Sequence, residues 1–288
     1  RYDFAALLYV PVDPARFDPE TVPSLLRNFA KVVAAATRMP ESREPSSPGI
    51  LTLGGNGGVW QVQTKVSNIV ITALTLGSLG LTAAAGRVYV GSAAHGSVQL
   101  FDFKARPQGA LGAGNGEFGR PSAVAVSPVD GRVYVVDAER REIRGFDPQT
   151  LAEVTRIGDS VLVQPADVAV AADGTIFTAD MLRGVVDRFA PSGGHLGTFT
   201  VFGSAAGETV RPSGLGFDAA GRVYVVDSFL DQVNVYDALG AHQATVGAFG
   251  AGAGLMRNPL DVWVSPADGR IYVTDLGDQE LEVFPAVP

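Results

Sequence analysis

The chain has 288 residues, a formal net charge of −8 and 46% hydrophobic residues. An acidic chain repels phosphate backbones, and no basic cluster offsets this charge, so nucleic acid is excluded as an expected partner. Cysteine is absent, which excludes disulfides, thiolate metal sites and cysteine nucleophiles. The 35 glycines and 18 prolines fit an all-β protein with many tight turns and do not fit a disordered chain.

Residues 1–22 form the first predicted segment. The chain begins at Arg1 rather than at a methionine, which predicts that a signal peptide, an anchor or a disordered leader preceded it. The apolar run Phe4–Val12 reads as a strand, because it is short, rich in hydrophobic residues and ends among prolines.

Residues 23–78 carry a fainter pattern of four strands. Two interpretations are open for its beginning: Phe29–Ala36 is an innermost strand, or residues 23–38 form an amphipathic helix. The strand is slightly favoured, although the apolar residues of this stretch also have helical spacing. The second, third and outer strands are predicted at Gly49–Gly54, Gly58–Val62 and Asn68–Leu74.

The stretch from Ile69 to Gly86 carries no charged residue and is therefore a candidate membrane span. Several threonines and glycines interrupt it, and it runs directly into a strand motif. Strand and turn chemistry explain this composition better than a bilayer does.

The rest of the chain repeats one pattern, in which a proline opens an apolar strand and a glycine is followed by a second strand that ends in aspartate. The copies run from Pro121 to Asp137, Pro165 to Asp180, Pro212 to Asp227 and Pro259 to Asp275. Their glycines are 43, 47 and 48 residues apart, and Gly86 precedes the first of them by 45. This period is typical of a four-stranded β-propeller blade.

The period-two pattern places the strands within one repeat. We predict Ala123–Ser127 as the innermost strand, Arg132–Val136 as the second, Glu142–Phe146 as the third and Ala152–Ile157 as the outermost. The resulting fold class is an all-β, six-bladed β-propeller with blades at about 23–78, 79–120, 121–164, 165–211, 212–258 and 259–288. The last blade ends after its third strand, and we expect Phe4–Val12 to supply its fourth strand and so close the ring.

The repeated motif resembles the NHL repeat, a family of six-bladed propellers. The resemblance is good over residues 121–288, moderate over 76–120 and poor over 1–75. It implies a fold and leaves the function open, because NHL propellers include protein-binding, RNA-binding and enzymatic members. RNA-binding members use a basic face, whereas the family's arginine before the third strand is Glu142, Gln232 and Glu280 in three blades here.

Two sets of aspartates are the first candidates for functional residues. Asp137, Asp180, Asp227 and Asp275 recur at the end of the second strand, where we expect each carboxylate to accept backbone N–H bonds in its own turn. Asp167 and Asp261 lie near the entrance of the innermost strand, where six-bladed hydrolases and lactonases hold calcium. Two carboxylates fall short of the six to eight oxygens that calcium takes, so we predict no metal and keep this pair as the only candidates.

The three histidines are a second possible site, because NHL-type amidating lyases bind zinc through three histidines. His95 is expected in a loop between second and third strands, whereas His195 and His242 are expected near third-to-outer turns. These places are too far apart for a shared tetrahedral site, so surface roles are expected. No catalytic residue is predicted.

The strongest functional hint lies in the loops between second and third strands, which gather on one face. Where the family has small or polar residues, three consecutive blades carry Met181 and Leu182, Phe229 and Leu230, and Leu276, and the neighbouring blade carries Arg140 and Arg141. Apolar patches flanked by charge commonly mark protein contacts. The alternative is that these side chains fold onto the blade beneath them.

Two functions follow as hypotheses. The favoured one is a non-catalytic scaffold that binds another protein, as an accessory subunit of an envelope or membrane-associated assembly. The alternative is a metal-dependent hydrolase or lactonase with its site, and calcium as its cofactor, in the central channel. We expect an extracytoplasmic location, periplasmic or secreted, from the start at Arg1 and from the export of many bacterial NHL-like propellers.

Overall fold

The structure, a computed structural model, describes residues 81–84, 87–93, 95–102, 107–158, 160–266, 268–277 and 280–288. The predicted blade at 23–78, the strand-or-helix alternative at 23–38 and the predicted closing strand Phe4–Val12 lie outside the described residues.

The described residues form an all-β propeller with no helix among them. Its blades are five antiparallel sheets, named sheets I to V in chain order. Sheet I contains β1 (Leu81–Ala84), β2 (Arg87–Ser92), β3 (Ser97–Asp102) and β4 (Pro107–Ala110); sheet II contains β5 (Pro121–Val126), β6 (Val133–Asp137), β7 (Glu142–Phe146) and β8 (Glu153–Ile157); sheet III contains β9 (Pro165–Val170), β10 (Ile176–Asp180), β11 (Val185–Phe189) and β12 (His195–Thr198).

After sheet III, the connection to the next blade forms a small parallel pair, β13 (Val201–Phe202) and β14 (Glu208–Thr209). Sheet IV contains β15 (Pro212–Phe217), β16 (Val223–Asp227), β17 (Gln232–Tyr236) and β18 (His242–Val246), and sheet V contains β19 (Pro259–Val264), β20 (Ile271–Asp275) and β21 (Glu280–Phe284). The strands predicted in the repeat are therefore confirmed to within two residues at each end. Sheet V has three strands within the described part of the chain, as the sequence predicts.

The core lies between neighbouring sheets, because each strand turns its apolar residues to the sheets on either side. Tyr134 and Val136 of sheet II pack with Val168 and Ile176 of sheet III in one buried cluster. Equivalent clusters join sheets I and II, III and IV, and IV and V. Consecutive innermost strands are neighbours, in the order β1, β5, β9, β15, β19. This packing holds the beginnings of the innermost strands side by side.

A β-bulge begins each innermost strand from sheet II to sheet V. In β5, Pro121 pairs with Asp137 and Ala123 with Val136, so Ser122 is the extra residue. The same shift occurs in β9, β15 and β19. Such bulges bend a strand and re-aim its side chains. The Ser122 hydroxyl donates to the Ala166 carbonyl of the next sheet at 3.1 Å.

The chain order of the strands gives the propeller two distinct faces. The loops from second to third strands and the connections from one sheet to the next emerge on one face, which we call the connector face. The turns from first to second and from third to fourth strands emerge on the other, the hairpin face. Among the described residues, no helix is long and apolar enough to cross a membrane.

Candidate functional site

The repeat aspartates hold the connector face together. The buried Asp227 carboxylate accepts the backbone N–H groups of Phe229 and Leu230, both at 2.9 Å, in its own loop. It also accepts those of Val210 and Arg211, at 2.6 and 3.2 Å, in the connection from the preceding sheet. Asp137, Asp180 and Asp275 bind both segments in the same way. The turn-capping role expected from the sequence is present, and each aspartate additionally fixes the incoming connection.

The loops of sheets III and IV place the predicted apolar residues on the connector face. Leu182 is 67% exposed and Phe229 is 59% exposed. Met181, Leu230 and Leu276 are half-buried. The predicted patch is therefore exposed mainly at Leu182 and Phe229.

The two predicted arginines have different surroundings. The Arg140 guanidinium contacts the Asp137 carboxylate at 3.2 Å and donates to the Glu117 carbonyl, so it ties a loop to the preceding connection. Arg141 is exposed and has a positive φ of 60°. Arg141 is therefore the better placed of the two to contact another molecule.

Three exposed apolar residues on the same face were not predicted from the sequence. Val201, Phe202 and Phe249 are 65%, 62% and 72% exposed, and all lie in the connections that leave sheets III and IV. The sequence does contain a pattern that marks the two phenylalanines. In three connections a hydrophobic residue followed by glycine lies ten residues before the repeat proline: Leu111–Gly112, Phe202–Gly203 and Phe249–Gly250. Leu111 is fully buried, whereas the two phenylalanines are not.

Two contacts within the face join a loop to a connection. The Phe202 ring lies directly against Gly184, two residues after Leu182. The Arg211 guanidinium lies over the Phe229 ring, 5.9 Å from its centroid, and donates to the Ser228 carbonyl at 2.7 Å. Sheets III and IV thus each present one apolar loop residue and one connection phenylalanine.

The predicted carboxylate pair lies near the beginnings of the innermost strands β9 and β19, a place that we call the inner rim. Asp167 of sheet III accepts the Leu215 N–H of sheet IV at 2.8 Å and the Val168 N–H at 2.8 Å. Asp261 of sheet V accepts the Val262 N–H at 2.8 Å. Burial raises the pKa of the Asp167 carboxyl well above its usual value, and the negative charge of Asp261 raises it further. The two carboxylates therefore interact across sheet IV.

Gly214 of sheet IV lies between the two carboxylates. A Cβ at this position would lie 2.5 Å from the Leu260 carbonyl oxygen and 2.6 Å from the Asp261 Cα. The missing side chain lets β15 and β19 approach closely, which brings Asp261 toward Asp167.

The histidines have separate partners in three sheets. His95 contacts the Ser92 hydroxyl at 2.9 Å, His195 the buried Asp187 carboxylate at 2.8 Å, and His242 the Thr245 hydroxyl at 3.0 Å. Within the part of the chain that the structure describes, no three metal-ligating side chains come together. The arrangement of the three histidines does not form the zinc site weighed in the sequence analysis.

Comparisons with known proteins address the fold. No family model matches the chain, and no curated protein matches it. Among solved structures, it is similar to a chain of the Kuenenia stuttgartiensis hydrazine synthase, with a TM-score of 0.56 and 19% identity over 77% of this chain and 59% of that one. A Bacteroides thetaiotaomicron protein of unknown function gives 0.55 and 18%, over 72% of this chain and 58% of that one.

A third similar structure is virginiamycin B lyase from Staphylococcus aureus, with a TM-score of 0.50 and 13% identity over 72% of this chain and 69% of that one. The chain spans less than two thirds of the length of the first two of these proteins. At these identities the likeness establishes the propeller fold, and propellers serve many functions.

Proposed function

We propose that this chain is a non-catalytic propeller that binds another protein through its connector face, as an accessory subunit of an extracytoplasmic, envelope or membrane-associated assembly. The observation that supports it most is the distribution of large apolar side chains. Nine are exposed among the described residues, and five of them, including all three phenylalanines, lie on the connector face: Leu182, Val201, Phe202, Phe229 and Phe249. Burial of such side chains is the main favourable term in protein association.

The energetics of a surface of this kind favour a specific contact. Each phenylalanine removed from water contributes about 1.5–3 kcal/mol, and aromatic residues in the centre of an interface commonly dominate its affinity. The loops that carry Leu182 and Phe229 are fixed by the buried repeat aspartates, so little conformational entropy is lost when these two side chains bind.

Replacing Leu182 and Phe229 by aspartate is expected to abolish association with the partner and to leave the ring folded. Two charges at the contact would have to be desolvated, which costs several kcal/mol in a complex but nothing in the free chain. The measurement is co-isolation of the partner with the tagged chain from its own host, together with the melting temperature of each variant.

The matched control is Val129→Asp with Leu239→Asp. These side chains are 61% and 91% exposed on the hairpin face, so the control adds the same charge to the opposite side. Loss of the partner in the control, or its retention in the connector-face variant, would refute the assignment of the face.

A second candidate function is a metal-dependent hydrolase or lactonase with its site at the inner rim. The carboxylate pair of Asp167 and Asp261 favours it. However, both Asp167 oxygens and one oxygen of Asp261 already accept backbone N–H bonds. The pair therefore offers calcium few of the six to eight oxygens it takes, which is why docking is the preferred proposal.

Calcium and EDTA distinguish the two candidates. We expect neither to change the melting temperature by more than about 1 °C, because a ligand stabilises a fold only when it binds the folded state. A rise of several degrees with calcium that disappears in Asp167→Asn would assign the function to the inner rim. Asp173→Asn, the same substitution at an exposed turn of the hairpin face, serves as the control for a nonspecific effect of losing one carboxylate.

A further inference from the structure

The two faces of the propeller carry different accessible charges. On the connector face, the exposed charged residues among those described are Arg140, Arg141 and Arg257, with Glu139 as the one exposed acid. The repeat aspartates of this face are buried and bound to backbone N–H groups. Asp159 and Asp278 belong to its loops by sequence and lie outside the described residues. Accessible charge on the described connector face is therefore mainly basic.

The hairpin face has the opposite character. Asp130, Asp173 and Asp268 are exposed there, and each accepts a backbone N–H of its own turn. Three arginines of this face are matched by turn aspartates: Arg132 contacts Asp130, Arg222 contacts Asp218, and Arg270 contacts Asp268. Arg87, at the start of β2, donates to the Pro148 carbonyl. Asp147, Asp173 and Asp237 have no arginine in their turns, so the described part of the hairpin face is acidic. Lys104 and Arg106 belong to one of its turns by sequence and lie outside the described residues.

We infer that the connector face binds an acidic polypeptide segment that carries apolar side chains, an assignment that rests on the proposed docking function. Complementary charge would direct such a segment to the connector face and away from the hairpin face. The exposed phenylalanines and Leu182 would then cover its apolar side chains. Aromatic residues and arginine, with few acids, are the composition of protein-binding hot spots.

The connector face is less suited to binding a nucleic acid than to binding a polypeptide. Phosphate binding needs several available cations, yet Arg183 is paired with the Asp187 carboxylate and the Arg211 guanidinium donates to Ser228. Two of the five exposed apolar residues, Leu182 and Val201, are aliphatic and offer no ring for base stacking. Polypeptide is therefore the class of partner that the surface fits.

Selection of short random peptides displayed on phage tests this inference with the whole chain as the target. The enriched peptides are expected to be net negative and to contain Phe, Leu, Ile or Trp. Their retention should fall at least about tenfold between about 0.15 M and about 0.5 M salt, because exposed charges are screened at high salt. Arg141→Glu with Arg257→Glu, and separately Phe202→Ser with Phe249→Ser, should each reduce retention at least about tenfold.

The hairpin-face variant Val129→Ser with Leu239→Ser is the matched control and should retain the peptides fully. Enrichment of neutral or basic peptides, no enrichment, or retention that the connector-face variants leave unchanged would overturn the inference. If the host complex still forms in those cases, docking stands and only the acidic partner is wrong. Binding of random-sequence RNA at about 0.15 M salt that is lost in Arg141→Glu with Arg257→Glu would overturn it in favour of nucleic acid.

Discussion

Asp227→Ala is expected to lower the free energy of unfolding by about 3–5 kcal/mol, because four backbone N–H groups lose their shared acceptor and each buried, unsatisfied donor costs about 1–3 kcal/mol. Part of this cost is recovered when water enters the loop. The four donors belong to two segments, Val210–Arg211 and Phe229–Leu230. The variant should therefore also loosen the connector face. Urea unfolding followed by tryptophan fluorescence measures the change.

Asp237→Ala is the control for the loss of an aspartate that caps a turn. Asp237 accepts the N–H groups of Leu239 and Ala241, both at 2.9 Å, in a solvent-accessible turn of the hairpin face. We expect a loss of about 1 kcal/mol, since water replaces the carboxylate there. Equal effects of the two substitutions would show that Asp227 does not link the segments.

Gly214→Ala is expected to destabilise the chain by about 3 kcal/mol, at the upper end of the cost of overpacking. The new methyl group would lie 2.5 Å from the Leu260 carbonyl oxygen and 2.6 Å from the Asp261 Cα. Both are backbone atoms, so β15 and β19 would have to move apart. Thermal and urea unfolding should show the loss, and hydrogen exchange should place the loosening at the inner strands of sheets IV and V.

Gly194→Ala is the matched control. A Cβ at Gly194 would meet no atom within 4 Å, so its effect should be within about 0.5 kcal/mol of zero. A neutral Gly214→Ala variant would contradict the close approach of sheets IV and V that brings Asp261 toward Asp167.

The strands and turns of the repeat could be predicted from the sequence because each uses local information. Alternating apolar residues, the glycine after the first strand and the terminal aspartate recur with one period, and each acts within a few residues of its own position. The structural role of the repeat aspartates was predictable for the same reason. Their second function, binding the incoming connection, joins residues about 17 positions apart, such as Val210 and Asp227.

The candidate site was predictable only in part. Leu182 and Phe229 stood out because they replace small residues of the motif. Phe202 and Phe249 did not, since their hydrophobic–glycine pair is shared with Leu111–Gly112, which is buried. In the sequence, Gly214 is only the position equivalent to Asp167 and Asp261 that carries no carboxylate. Its role in letting β15 and β19 approach closely could not be predicted. Burial and close approach depend on neighbouring sheets, which one sequence does not specify.

The charge asymmetry links the fold to the proposed function. Turn aspartates stabilise the hairpins and are therefore concentrated on the hairpin face. The aspartates of the connector face are instead buried as backbone acceptors. A net acidic chain thus presents arginine and phenylalanine on one side, and the same repeat that builds the propeller separates the two kinds of surface.

Native mass spectrometry of the protein isolated from its own host in mild detergent tests the central claim most directly. We expect a mass well above that of the chain alone, 29.9 kDa for the present sequence, with at least one foreign polypeptide that is absent when Leu182 and Phe229 are replaced by aspartate. A lone monomer that carries a stoichiometric divalent ion would contradict it and would assign the function to the inner rim at Asp167 and Asp261.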